Sequence, residues 1–212
     1  MPMRSVNPAT GETLRTFYEL DDREIDRRLE LAVTAFRAWR SSPCEERAGV
    51  LRAAADILEE EQTELGRLMT LEMGKTLRAA QEESAKCAVA CRYYADNIER
   101  FMAAEIVRDE GRDIGRVIFQ PIGAVLAVMP WNFPFWQVIR FAAPAIAAGN
   151  VGLLKHASNV PQCALALEEI FARAGAPRGV FQTLLVGSLR DDRIICDPGI
   201  AAVTLALRGG GR

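Results

Sequence analysis

Along much of the first hundred residues, apolar side chains return every third or fourth position, the period of a helix with one buried face. Within REIDRRLELAVTAFRAW, the residues Ile25, Leu29, Ala32, Phe36 and Trp39 recur in this way, with charges on the opposite side. A second stripe starts near Glu45 and runs through Val50, Leu51, Ala54, Ile57, Leu58, Leu65 and Leu68, predicting one helix interrupted at Gly74. A third helix is expected over 76–102, with Cys87 and Cys91 one turn apart as packing residues. The first hundred residues therefore read as helical.

The period then changes. EIVRDEGRDIGRVIFQP reads as two short strands about a Gly/Asp-rich turn. From Gly123 onward, apolar strands over 124–129, 151–154, 180–186 and 200–205 alternate with helices over 134–148 and 161–174, and a short connection spans 189–197. Gly149 and Gly175 stand where helix C-caps belong, and Pro161 suits a first helical turn. Apolar strands alternating with helices predict an α/β fold with a parallel sheet covered on both faces and right-handed crossovers.

Composition narrows the function classes. The 212 residues carry 26 Lys and Arg against 28 Asp and Glu, a net charge of −2. That balance offers no basic footprint for nucleic acid or for an anionic membrane surface. The N-terminal MPMRSVNPATGETL lacks the apolar core of a secretory signal, and the longest apolar stretch is broken by Asn132, Pro134, Gln137, Arg140, Pro144 and Asn150, too often for a membrane span. Five scattered cysteines form neither a metal-ligand pattern nor a disulfide framework, so a reducing cytoplasm is the expected location, with no metal.

Ligands of open α/β sheets bind beyond the carboxyl ends of the strands. There the chain places PWNFP (130–134), KHAS (155–158) and GS (187–188), so its polar residues are expected in loops. No G-x-G-x-x-G follows any strand. Lys155 either meets a nucleotide phosphate or ribose, helped by Ser158 and the amides near Gly187 and Ser188, or simply ends a strand in solvent. Asn132 either braces its turn or aims its amide at a ligand, as an oxyanion hole requires. Arg140, alone among apolar helix residues, either snorkels to the surface or pairs with a carboxylate, of the protein or of a substrate. His156, with no acid beside it, reads as a backbone-bonded loop residue rather than a base.

NPATGE (7–12), LEMGK (71–75), the run 115–150 and LKHASNVPQCALALEEIF (154–171) resemble the aldehyde dehydrogenase superfamily, and KHASNVPQ is similar to its succinate-semialdehyde branch. The resemblance implies NAD(P)-dependent oxidation of an aldehyde to an acid through a cysteine thiohemiacetal, hydride transfer and thioester hydrolysis. Carried over residue by residue, it implies that Asn132 helps hold the oxyanion and that Met129, Trp131, Lys155, Ser158 and Gly187 border the cofactor. It gives Arg140 the distal carboxylate of the substrate, and Ser158, where NAD-preferring members often carry glutamate, favours NADP over NAD. The implied organisation is an N-terminal helical part of the cofactor-binding domain (1–104), an oligomerisation-type hairpin (105–120), Rossmann-like βαβ units (121–205) and an aberrant tail (206–212). Full-length relatives are expected to be homo-oligomers. After VTL the chain departs from the family's Thr-Gly-Ser turn into ALRGGGR, the pattern of a shifted reading frame or a cut. No cysteine matches the family nucleophile, nor any glutamate its general base, so this stretch is expected to be inactive alone. The alternative is a non-catalytic remnant that binds nucleotide weakly or a partner chain.

Overall fold

Four parallel strands form the sheet of the C-terminal half in the order β7–β6–β5–β8: β5 Ala124–Met129, β6 Val151–His156, β7 Phe181–Thr183 and β8 Ile200–Leu205. This computed structural model describes residues 2–109 and 114–206. The helices α5 (Trp136–Ala147) and α6 (Pro161–Arg173) cross between β5, β6 and β7, as the alternation requires. Gly149 and Gly175 close these two helices at φ +88° each. Asn150 joins the strand starts: its Oδ1 accepts from the amides of Ile122 (2.7 Å) and Gly123 (3.1 Å).

Helices α1 (Asp22–Trp39), α2 (Cys44–Glu60), α3 (Gln62–Met73) and α4 (Leu77–Met102) share one continuous apolar core with the sheet. A capping box opens α1: the amide of Glu24 donates to Asp21 Oδ1 and the amide of Asp21 donates to Glu24 Oε2, both at 2.8 Å. Thr76 Oγ1 caps α4 by accepting from the Ala79 amide. Gly74 ends α3 at φ +79°, where a Cβ would press on the ring of Pro8. Cys87 and Cys91 are fully buried, as packing residues should be.

Several sequence expectations need correction. The first hundred residues are not all helical, because β1 (Met3–Val6) and β2 (Thr13–Phe17) pair antiparallel and bury Met3, Ser5 and Phe17. The second predicted helix breaks at Glu61, well before Gly74. Strand β6 runs two residues further than the apolar pattern suggested, to His156. Strand β7 is only three residues long, and the connection expected over 189–197 is made of a 3₁₀ turn that begins one residue earlier (Ser188–Arg190) and a short helix α7 (Asp191–Ile195). The sheet is not covered throughout, since alternate residues of β8 are exposed, Val203 and Leu205 among them. The predicted hairpin forms from β3 (Glu105–Asp109) and β4 (Ile114–Val117); its expected turn at 110–113, and all but the first residue of the expected tail, lie outside the described residues.

Candidate functional site

The parallel register puts the ends of β5 and β6 side by side, with Val128 opposite Lys155 and Met129 opposite His156. Met129, Trp131, Asn132, Lys155 and Ser158 therefore cluster at one rim, and Gly187 follows β7 on the same edge. Lys155 and His156 are not loop residues: they are 9% and 4% exposed inside β6. That burial excludes the reading of Lys155 as a strand end in solvent. Ser158 is exposed. Gly187 faces Glu19, whose Oε1 would lie 3.0 Å from a Cβ there, so a side chain at 187 would crowd this carboxylate.

His156 braces the rim. Its Nδ1 accepts from the Ala157 amide and its Nε2 bonds the Pro134 carbonyl, each at 2.9 Å, which fits the neutral ring protonated at Nε2. It is backbone-bonded, as expected, and it ties the end of β6 to the 130–134 turn. Loss of hydration is the main reason its pKa falls from 6.5 to about 4, against the opposing pull of its backbone hydrogen bonds. The folded pKa lies below the unfolded one, so this contribution to stability is complete above pH 6.5 and is lost as pH falls towards 4. The loss should reach about 3 kcal/mol by pH 4. We expect urea unfolding from pH 7 to pH 4 to show this extra loss relative to His156→Gln, and the lone imidazole NMR signal to titrate near 4. A signal titrating near 6.5 would contradict it.

Two glutamates that the sequence reading passed over shape the same rim. The N-cap positions of α5 and α6 are held by Phe135 and Val160, and neither residue can cap a helix with its side chain. Glu83 of α4 substitutes for the first cap: its Oε1 accepts from the amides of Phe135 and Trp136, each at 2.9 Å, and its Oε2 pairs with Lys75. Glu72 of α3 substitutes for the second, accepting from Gln162 (2.9 Å) and Cys163 (2.7 Å). A carboxylate at a helix N-terminus satisfies free amides and complements the helix dipole. Lys75 also lies 3.8 Å from the centroid of Phe133, inside the turn that carries Asn132. The signal available in the sequence was acid at apolar-stripe spacing: Glu72 follows Leu65 and Met69, and Glu83 falls between Ala80 and Cys87.

Asn132 is half-buried, and its Oδ1 is a buried acceptor with no hydrogen-bond partner among the described residues. The bonds that brace the turn come instead from Glu83 and His156. Arg140 lies apart from the rim cluster. It is exposed on α5 and lines a hollow with Met129, Phe141, Thr204 and Leu205, so Met129 joins this hollow to the rim. Of the snorkelling and buried readings, the exposed one holds. Burial raises the Cys87 and Cys163 thiols and lifts that of Cys91 to about 12, which suits packing rather than nucleophilic chemistry.

The model of the aldehyde dehydrogenase family matches residues 1–206. A probable succinate-semialdehyde dehydrogenase [NADP(+)] of Synechocystis sp. is 52% identical over 205 residues, covering 97% of this chain and 45% of that protein. Succinate-semialdehyde dehydrogenase [NADP(+)] 1 of Mycobacterium tuberculosis is 51% identical with the same shares. The crystal structure of succinic semialdehyde dehydrogenase from Streptococcus pyogenes in complex with NADP+ superposes with a TM-score of 0.92 at 33% identity, over 96% of this chain and 45% of that one. The chain thus spans about half the length of the curated relatives it matches.

Proposed function

The chain belongs to the aldehyde dehydrogenase family, and we propose from that premise that it forms the cofactor-binding part of an NADP-preferring oxidoreductase converting succinate semialdehyde to succinate. The observation that carries the reading is the doubly braced turn, which presents Asn132 at the rim without using its side chain as a brace. The names of the 51–52% identical relatives support the choice of substrate and cofactor.

In this reading the nicotinamide, when bound, accepts the hydride that leaves the aldehyde carbon. Lys155 supplies positive charge to the adenosine end of the cofactor, and Ser158 leaves room for a 2′-phosphate that a carboxylate would repel. NAD is the poorer fit for the same reason. Met129 and Trp131 border the groove, and Gly187 lies at its far end beside Glu19. Asn132 offers its amide to the oxygen that gains charge during reaction, and Arg140 takes the distal carboxylate of the substrate. The hairpin proposed for oligomerisation (105–120) contains β3 and β4, on which Ile106, Val107, Ile114 and Val117 are exposed. Among the described residues, no helix is long and apolar enough to cross a membrane.

The test is a chimera in which residues 1–206 replace the corresponding part of the Synechocystis relative. It should reduce NADP+ with succinate semialdehyde. A charge-assisted contact to phosphate contributes roughly 1.5–3 kcal/mol, so kcat/KM should favour NADP+ at least tenfold and Ser158→Glu should reverse the order. Arg140→Ala should weaken succinate semialdehyde far more than an uncharged aliphatic aldehyde and leave cofactor affinity unchanged. An unaltered cofactor ratio in Ser158→Glu, or equal losses on both aldehydes in Arg140→Ala, refutes the corresponding assignment.

A further inference from the structure

Cys44 and Arg47 form a cluster that the proposed chemistry does not use, on the first turn of the 17-residue helix α2. Pro43 precedes that turn and provides no side-chain cap. Arg47 is only 6% exposed, yet its Nε and Nη1 have no hydrogen-bond partner among the described residues. Its Nη2 donates to Cys44 Sγ at 3.3 Å. Nη1 is closed in by the backbone of Gly149, where a Cβ would come within 2.5 Å of it. Neither acid of this turn reaches the guanidinium: Glu45 pairs with Arg52 at 3.0 Å, and Glu46 is exposed. Cys44 is partly exposed.

A buried arginine with two unmet donors is costly, and its unmet Nε shares one edge of the guanidinium with the Nη2 that holds the thiol. An oxygen atom attached to Sγ would accept from that fork, as carboxylate and phosphate oxygens do. The helix N-terminus adds positive potential at the same sulfur. We propose that Cys44 is a peroxide-sensitive modification site whose oxidised form Arg47 stabilises. The sulfur attacks one oxygen of hydrogen peroxide, the O–O bond breaks, and the departing hydroxide takes the thiol proton to leave as water. Sulfur is oxidised by two electrons to the sulfenic acid, and peroxide is reduced. A small thiol can then condense with it, forming a disulfide and releasing water.

The 212-residue chain contains its own control in Cys196, which is exposed and ends α7 rather than opening α2. With limiting hydrogen peroxide and dimedone, peptide mass spectrometry should find Cys44 labelled at least tenfold more than Cys196. Cys87, Cys91 and Cys163, all buried, should stay unlabelled. In Arg47→Lys the Cys44 label should fall fivefold or more while that of Cys196 is unchanged. Equal or greater labelling of Cys196 in the wild-type chain overturns the proposal, as does undiminished Cys44 labelling in a folded Arg47→Lys variant. The wild-type ratio requires no variant, so it decides the matter even where Arg47→Lys folds poorly.

Discussion

Glu83→Ala should destabilise the chain by about 3–5 kcal/mol, the usual cost of removing one partner of a buried ion pair. Its side chain is 2% exposed and that of Lys75 10%, so truncation strands an ammonium group in the protein interior. It also leaves the amides of Phe135 and Trp136 without the acceptor that opens α5. Lys75→Met paired with Glu83→Gln is the informative comparison. The double variant keeps an acceptor near the two amides and buries no lone charge, so it should cost less than the two single changes added together. Urea midpoints for the single and double variants measure this. A Glu83→Ala chain within 1 kcal/mol of wild type would show that the pair contributes little.

The same pair shows where sequence reasoning ran short. The α/β half was legible because buried parallel strands are apolar throughout, and β5 falls at the expected residues, Ala124–Met129. The end of β6 was misplaced because Lys155 and His156 are polar, and polarity at a strand end reads as a loop. What makes His156 compatible with burial is a tertiary partner, the Pro134 carbonyl 22 residues earlier, which no local pattern reveals. The break between α2 and α3 was hidden because the apolar period continues past Glu61 with neither Gly nor Pro to mark it. The β1–β2 hairpin was missed because two strands of four and five residues offer few alternating positions. Asn132, Lys155 and Arg140 could each be singled out as unusual polar residues in apolar surroundings. What braces the turn that carries Asn132 is Glu83, whose partners lie 8, 52 and 53 residues away.

Asn132→Ala, made in the chimera described above, should lower kcat by about 10²–10³ with little change in cofactor affinity, the usual effect of deleting one oxyanion donor. The argument rests on rigidity. An amide stabilises developing charge only if it is already in place, since a mobile donor must be ordered during the reaction. Here the chain just after Asn132 is fixed twice, by His156 at the Pro134 carbonyl and by Glu83 at the Phe135 and Trp136 amides, each at 2.9 Å. Lys75 against the ring of Phe133 adds a third hold. The Asn132 side chain takes no part in these bonds, so its removal should leave the turn in position. Structural damage and catalytic loss should therefore separate. Asn132→Ala should melt within a few degrees of the parent chimera while kcat collapses, whereas Glu83→Ala should lower both together. Asn132→Asp, with similar shape but an anion facing the forming oxyanion, should be at least as inactive as Asn132→Ala. If Asn132→Ala retains kcat within threefold of the parent, or loses stability as Glu83→Ala does, then Asn132 braces its turn after all.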